Sequence, residues 1–247
     1  MAQSVSYSDT IAQDLQGVRL PVILDMIRRH FGREAVAPGD EAAVLKGLHV
    51  LDVGCGGGAM AEPLAERGAL VTGIDLVADQ IAAAELRAKD RGLAIEYGVE
   101  SAEALAQSGA LYDVVLALDV IEHAADQTAL LKALARLVKP GGLLLVTTLN
   151  RTLKSFLYAI VAAEHVLRYL PRGTHSWDKF RRPEEIHGVI AAEGLVTERI
   201  IGLSFSPFRM PRWRISSDLG TRYLMRATRP RVRTAEAILL PGPDSTP

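Results

Sequence analysis

A single cysteine, Cys55, leaves the chain no internal disulfide and no cysteine-rich zinc site. Charge of one sign is missing too. The 28 lysines and arginines stand against 29 aspartates and glutamates, a net charge of −1, so no whole-molecule field draws the protein to nucleic acid. No apolar run is long enough to read as a membrane span. The nearest, 156–170, is interrupted by Glu164, His165 and Arg168. The opening MAQSVSYSDTIAQDL has no basic start followed by an apolar core, so it does not read as a secretory signal. Internal repeats are absent. These gaps lead us to expect a cytoplasmic protein with no nucleic acid among its partners. Of the 247 residues, 49% are hydrophobic, enough for a well-buried core.

From residue 48 short apolar runs alternate with helical patterns. Strands are expected at 50–53, 70–74, 94–97, 114–118 and 143–147, and helices around 59–67, 78–91, 101–107 and 126–138. Such alternation predicts an α/β fold, a mostly parallel sheet with helices on both faces and ligands at the carboxyl ends of its strands. Ahead of it, Val18, Val22, Ile23, Met26 and Ile27 recur at helical spacing, and a helix over 7–31 should dock on the main domain. After Asn150 the rhythm breaks into an apolar helical insert at about 151–182. The segment RPEEIHGVIAAEG then reads as a helix with proline in its first turn and Gly194 near its end. LVTERIIGLSF and TRYLMRATR suit an antiparallel pair. The expected division is an N-terminal helix and linker over 1–47, one domain over 48–230, and a disordered tail over 231–247.

The densest signal is HVLDVGCGGGAMAEPLAERGALVTGID, residues 49–75: strand, glycine turn, helix, and a second strand ending on an acid. Gly54, Gly56 and Ala59 fit a dinucleotide fingerprint, while Gly54, Gly56 and Gly58 fit the G-x-G-x-G of methyltransferases, so the glycines alone do not choose. Both readings use glycine for a turn with positive φ and for close ligand approach. Asp52, two residues before the first glycine, can attract the ammonium of S-adenosylmethionine, and Asp75 can accept both hydroxyls of a ribose. Downstream, LYDVVLALDVIEHAAD carries a strand into an acidic turn. A helix, a proline–glycine turn and another strand follow in LARLVKPGGLLLVTTLN.

These blocks resemble the class I S-adenosylmethionine-dependent methyltransferases, whose sheet is Rossmann-like and seven-stranded, mostly parallel with an antiparallel C-terminal strand. The stretch TLNRTLKSFLYAIVAAEHVLRYLPRGTHSWDKFRRPEEI resembles more narrowly the ubiquinone-biosynthesis O-methyltransferases, as does the later IIGLSFSPFRMPRWRISSDLGTRYLM. The similarity runs roughly from Arg19 to Pro230 and implies O-methylation of a phenol or catechol on a polyprenylated ring. The alternatives are another small aromatic or lipid substrate, or a non-catalytic cofactor-binding scaffold. The tryptophan-tryptophan-aspartate segment that family members carry before the first helix is missing, and TRYLM stands where asparagine-tyrosine is usual.

The resemblance makes Arg19 a clamp for the cofactor carboxylate, and it places Glu100, Ala102 and Leu118 around the adenine and the rest of the cofactor. A Ser101 cap on the following helix accounts for the first two equally well. Asp119, Glu122 and His123 form D-x-x-E-H, which would share one face of a helical turn. Two carboxylates and an imidazole there suggest a divalent metal, and in eukaryotic relatives the matching positions bind magnesium. A purely structural turn is the competing reading. Glu122 and His123 are also the candidate catalytic groups, with His123 a general base and His175 a second candidate base. The insert, apolar with flanking cations, suits either peripheral contact with membrane lipid at the inner face or a cover over the site. A quinone-biosynthesis complex is a further implied partner.

Overall fold

The computed structural model describes residues 7–33, 44–158, 176–206 and 212–231. Most of the expected apolar insert, with His165 and His175, lies outside the described residues, as do most of the linker and the C-terminal tail.

The alternation seen in the sequence becomes β1 (His49–Val53), α2 (Ala61–Ala65), β2 (Leu70–Asp75), α3 (Ala78–Asp90), β3 (Ile95–Val99), α4 (Ala102–Gln107) and β4 (Tyr112–Leu118). A 3-10 turn, Ile121–His123, leads to α5 (Gln127–Arg136) and β5 (Val138–Leu149). After the short α6 (Leu153–Ser155) and α7 (Pro183–Ala192) come β6 (Val196–Phe205), β7 (Trp213–Ser216) and β8 (Arg222–Thr228). The described strands form one sheet in the order β3-β2-β1-β4-β5-β8-β6-β7. Strands β1 to β5 pair in parallel, whereas β8 is antiparallel to both β5 and β6.

Two details depart from the expected layout. The sheet has eight strands where seven were expected, because Trp213–Ser216 folds back on Gly202–Phe205 as an added edge. The sequence KPGG is a bulge within β5 where a turn before it was expected. Tyr112 pairs with Val138 and Val114 with Leu143, so two steps on β4 face five on β5.

Alternate strand residues feed two cores. On one face α1 (Tyr7–His30) lays Ile23, Met26 and Ile27 on Val50, Leu116, Leu145 and Leu224. The fully buried Ile23 and Ile27 contribute roughly 2 kcal/mol each from burial. On the other face α5 and α7 cover Val115, Val146, Tyr223 and Met225. Polar contacts hold α1 in place: Arg212 pairs with Asp14 at 2.7 Å, and at the C-terminal end His30 Nε2 lies 2.9 Å from Gly141 O. In the middle, Gln16 Nε2 donates to Ala59 O at 2.9 Å, which ties α1 to the glycine turn. Arg19 therefore projects from a held helix toward the carboxyl ends of the strands.

Candidate active site

The glycine turn is built between β1 and β2. Gly54 and Cys55 both donate their N–H to Ile74 O, at 2.8 and 3.1 Å. Gly54 has φ +67°, and a Cβ there would stand 2.5 Å from Val120 Cγ2. Its glycine identity is thus demanded by the protein's own packing against the β4 turn. Gly56, at φ +51°, differs: a Cβ would meet only Gln80 Oε1, at 3.8 Å, so it opens onto free space. A Cβ at Gly58 would run into the Tyr97 hydroxyl. That hydroxyl is buried without a hydrogen-bond partner among the described residues. Tyr97→Phe is therefore expected to leave the fold intact and raise its stability by up to about 1 kcal/mol, read as a higher urea midpoint.

Asp75 closes the turn from the second strand. Its Oδ2 accepts the Gly56 N–H at 3.0 Å and its Oδ1 accepts the Val77 N–H at 2.9 Å. Beside it Leu76 is 73% exposed, an apolar shelf that the sequence reading did not single out. Glu100 follows β3, its N–H donating to Asp75 O at 3.2 Å. Ser101 Oγ caps α4 by accepting the Ala104 N–H at 3.1 Å, and Ala102 is buried, so the cap is realised at this position. Burial pushes the Cys55 thiol up to about 12, which makes it a filler of the turn and a poor nucleophile.

Asp52 is the unusual member. It is buried, and its Oδ2 has no hydrogen-bond partner among the described residues. Burial drives its pKa up to about 7, with Arg19 pulling down and Asp75 adding to the rise. A buried carboxylate oxygen without a hydrogen-bond partner, at the start of an open glycine turn, fits a ligand that brings an ammonium group. With Gly56 open and Asp75 at the rim, these residues fit S-adenosylmethionine.

At the end of β4, Leu118 is half-buried and Asp119 takes φ +62° with its N–H on Thr147 O at 2.9 Å. The left-handed backbone turns its carboxylate among cations. Arg19 Nη1 lies 2.5 Å from Oδ2, Thr147 Oγ1 donates to Oδ1 at 2.9 Å, and Arg222 from β8 makes an ionic contact with Oδ1. Burial would raise its pKa, but Arg222, Arg19 and Thr147 together hold it below the ordinary carboxylate value. Glu122 is buried and accepts from Thr148 Oγ1 at 2.7 Å. Burial, then the charge on Asp119, push its pKa up, with Arg222 and Thr148 opposing. His123 is exposed.

The acid–acid–histidine trio thus does not come together as a ligand set. Its spacing assumed one α-helical face, but Asp119 lies before the 3-10 turn with left-handed backbone, and only Glu122 and His123 are in it. Among the described residues no group of three such side chains is placed to hold a metal. As arranged, Asp119 faces two guanidiniums, Glu122 engages one oxygen with Thr148 and His123 is exposed away from both, so these residues do not fit a magnesium ion. The turn is instead held from behind by Gln127, whose Nε2 donates to Ile121 O at 2.9 Å and Lys179 O at 2.7 Å.

Arg222, Thr147, Thr148 and Trp213 gather around Asp119 and Glu122 and were not anticipated from the sequence. A charged residue ahead of the apolar Tyr223-Leu224-Met225 run of the final strand was the available signal for Arg222. Nothing local marks the others.

The chain is similar to known methyltransferases. A family model described as a methyltransferase domain matches residues 51–146. The ubiquinone biosynthesis O-methyltransferase of Chelativorans sp. (strain BNC1) is 44% identical over 222 residues, covering 90% of this chain and 85% of the relative. The protein of the same name from Azorhizobium caulinodans is 43% identical over 219 residues, covering 89% and 84%. Among solved structures, the magnesium protoporphyrin IX methyltransferase of Synechocystis PCC 6803 with bound SAH superposes with a TM-score of 0.65 at 21% identity, covering 93% of this chain and 90% of that one. At that identity the likeness establishes the fold.

Proposed function

Because this chain belongs to the ubiquinone biosynthesis O-methyltransferase family, we propose that its site moves a methyl group from S-adenosylmethionine to a phenolic oxygen of a polyprenylated ring. When bound, S-adenosylmethionine supplies a methyl made electrophilic by a positive sulfur. The observation that carries the reading onto particular residues is the buried carboxylate of Asp52, its Oδ2 without a hydrogen-bond partner among the described residues, at the start of a glycine turn that is open at Gly56.

In this reading Asp52 holds the donor's ammonium and Arg19 its carboxylate. Asp75 takes the ribose, while Glu100, Ala102 and Leu118 line the remainder. Gly54 and Gly58 shape the turn that makes room. The acceptor ring then lies over the ends of β4 and β5. Glu122, a carboxylate whose pKa is raised by burial, takes the phenolic proton; with that pKa it is a better base than an ordinary carboxylate. The buried surroundings keep water from the reacting oxygen, and the fixed residues hold both reactants in line. His123, exposed on the turn, has no such position.

Labelled S-adenosylmethionine and a short-chain prenylated catechol test this directly. Methylated product is expected from the wild type. Glu122→Gln should lose about 100-fold or more in kcat with donor affinity nearly unchanged. Donor binding without turnover on any prenylated catechol would sink the reading. Chelation is expected to leave turnover unchanged, given how the acidic trio is arranged. An activity lost to chelator and restored by magnesium would show that the acceptor reorganises it.

Peripheral contact with lipid belongs to the same reading. No helix among the described residues is long and apolar enough to cross a membrane. Yet Leu153 (71% exposed), Leu157, Tyr158 and Trp177 stand out from the surface at either end of the insert. Such a patch suits a substrate whose tail stays in the bilayer. A quinone-biosynthesis complex would meet the protein at that same surface.

A further inference from the structure

Asp119 divides the site. On one side stand the glycine turn, Asp52 and Asp75, where the donor is placed. On the other stand β5 and β8. Because β8 runs antiparallel, its first residue, Arg222, lies opposite Leu149, the last residue of β5, and so at the ligand edge of the sheet. The two arginines that meet on Asp119 belong to different halves. Arg19 is the guanidinium that acts on Asp52, whereas Arg222 acts on Glu122.

The surroundings of Arg222 show unused donor capacity. Its side chain is only 12% exposed. Nε finds no acceptor among the described residues, and Nη1 touches Asp119 without hydrogen-bond geometry. The guanidinium carbon sits 5.7 Å from the centre of the Trp213 ring, and Trp213 in turn packs on Phe205 with centroids 5.1 Å apart. Trp213 is 9% exposed, and its Nε1 also lacks a partner among the described residues. Buried donors without acceptors are costly, and beside aromatic rings they suit a ligand that is itself a ring carrying oxygens.

We propose that Arg222 is a specificity-determining residue for the acceptor, donating from Nε to the ring oxygen beside the hydroxyl that receives the methyl. Asp119 holds the guanidinium for this role, and Trp213 supports it from below. The class recognised is a ring with two neighbouring oxygens. A ring with one oxygen leaves the donor unsatisfied and binds less well. The inference rests on the acceptor being an oxygenated ring, as proposed above.

The test uses the full chain with saturating S-adenosylmethionine and two acceptors: a short-prenyl catechol, and the same ring with its second oxygen replaced by hydrogen. The wild type is expected to favour the catechol by about 10-fold or more in kcat/KM. Arg222→Met should bring that preference below about 3-fold, with donor affinity, measured separately by calorimetry, within about 3-fold of wild type. Arg222→Lys keeps a cation beside Asp119 and guards against loss of folding, and it should fall between the two. A preference that survives in both variants would overturn the assignment. So would a parallel loss of donor affinity, which would make Arg222 a support for the whole site. A wild type that binds donor yet methylates neither ring overturns the parent reading, and this one with it.

Discussion

Asp52→Asn is expected to stabilise the ligand-free protein near pH 8 and to cost roughly 100-fold or more in donor affinity. The two effects have one cause. Asp52 is buried with Oδ2 unpartnered, so ionising it in the empty site is costly. Its pKa rises from 3.8 to about 7 on folding. Between those values the folded state binds more protons than the unfolded chain. The contribution to stability is therefore fully present below about pH 4 and is lost as pH rises through about 7. For Asp52 alone the loss amounts to at most about 4 kcal/mol at pH 8. Asparagine removes that dependence, so urea midpoints of the variant should decline less between about pH 5 and 8. Glu122 is shifted in the same direction and leaves a residual slope. An arriving ammonium would return Asp52 to its ionised form. Donor binding near pH 7 should accordingly release part of a proton, visible as a buffer-dependent heat in calorimetry, and Asp52→Asn should abolish that component. A steeper pH dependence in the variant, or unchanged donor affinity, would contradict the assignment.

Alanine at the first two glycines of the turn should separate folding from binding. At Gly54 the added methyl meets Val120 Cγ2 at 2.5 Å and Cγ1 at 3.2 Å, and a β-branched side chain has little freedom to yield. With the positive φ as well, Gly54→Ala should cost about 3 kcal/mol of stability, with donor affinity falling as a consequence. Gly56→Ala meets nothing closer than 3.8 Å and bears only the left-handed backbone, about 1 kcal/mol. Its methyl would nevertheless point into the space assigned to the ligand, so donor affinity should drop about 10- to 100-fold in a protein that melts nearly normally. Equal losses of stability in the two variants would show that the open side of Gly56 is not a ligand surface.

The parts of the site legible in the sequence are those made by local chain geometry. The run from Val50 to Asp75 needs only one strand–turn–helix–strand unit to bring Asp52, Gly56 and Asp75 together, and apolar alternation announces that unit. Arg19 was reachable through family resemblance alone, since nothing in its own helix says that it will meet Asp119, 100 residues away. Helical spacing misled at Asp119, Glu122 and His123, because a left-handed residue ahead of a 3-10 turn breaks the face on which three ligands were to meet. Likewise the KPGG bulge depends on pairing with β4, and β7 on pairing with β6. Arg222 was hidden most deeply. Its neighbourhood exists only because the last strand inserts between β5 and β6, a long-range choice with no local mark.

That insertion orders events during synthesis. Strand β6 leaves the ribosome before β8, yet it joins the sheet only through β8, to which β5 is also paired. Until about residue 228 has emerged, β5 therefore presents an open edge and the β6–β7 hairpin has no place to dock. The nascent chain can shape its glycine turn early, from contacts close in sequence, while its acceptor half waits for the final strand. A ribosome stalled within β8 would hold a chain that has its first nucleoside-binding strands in order but lacks the means to choose what to methylate.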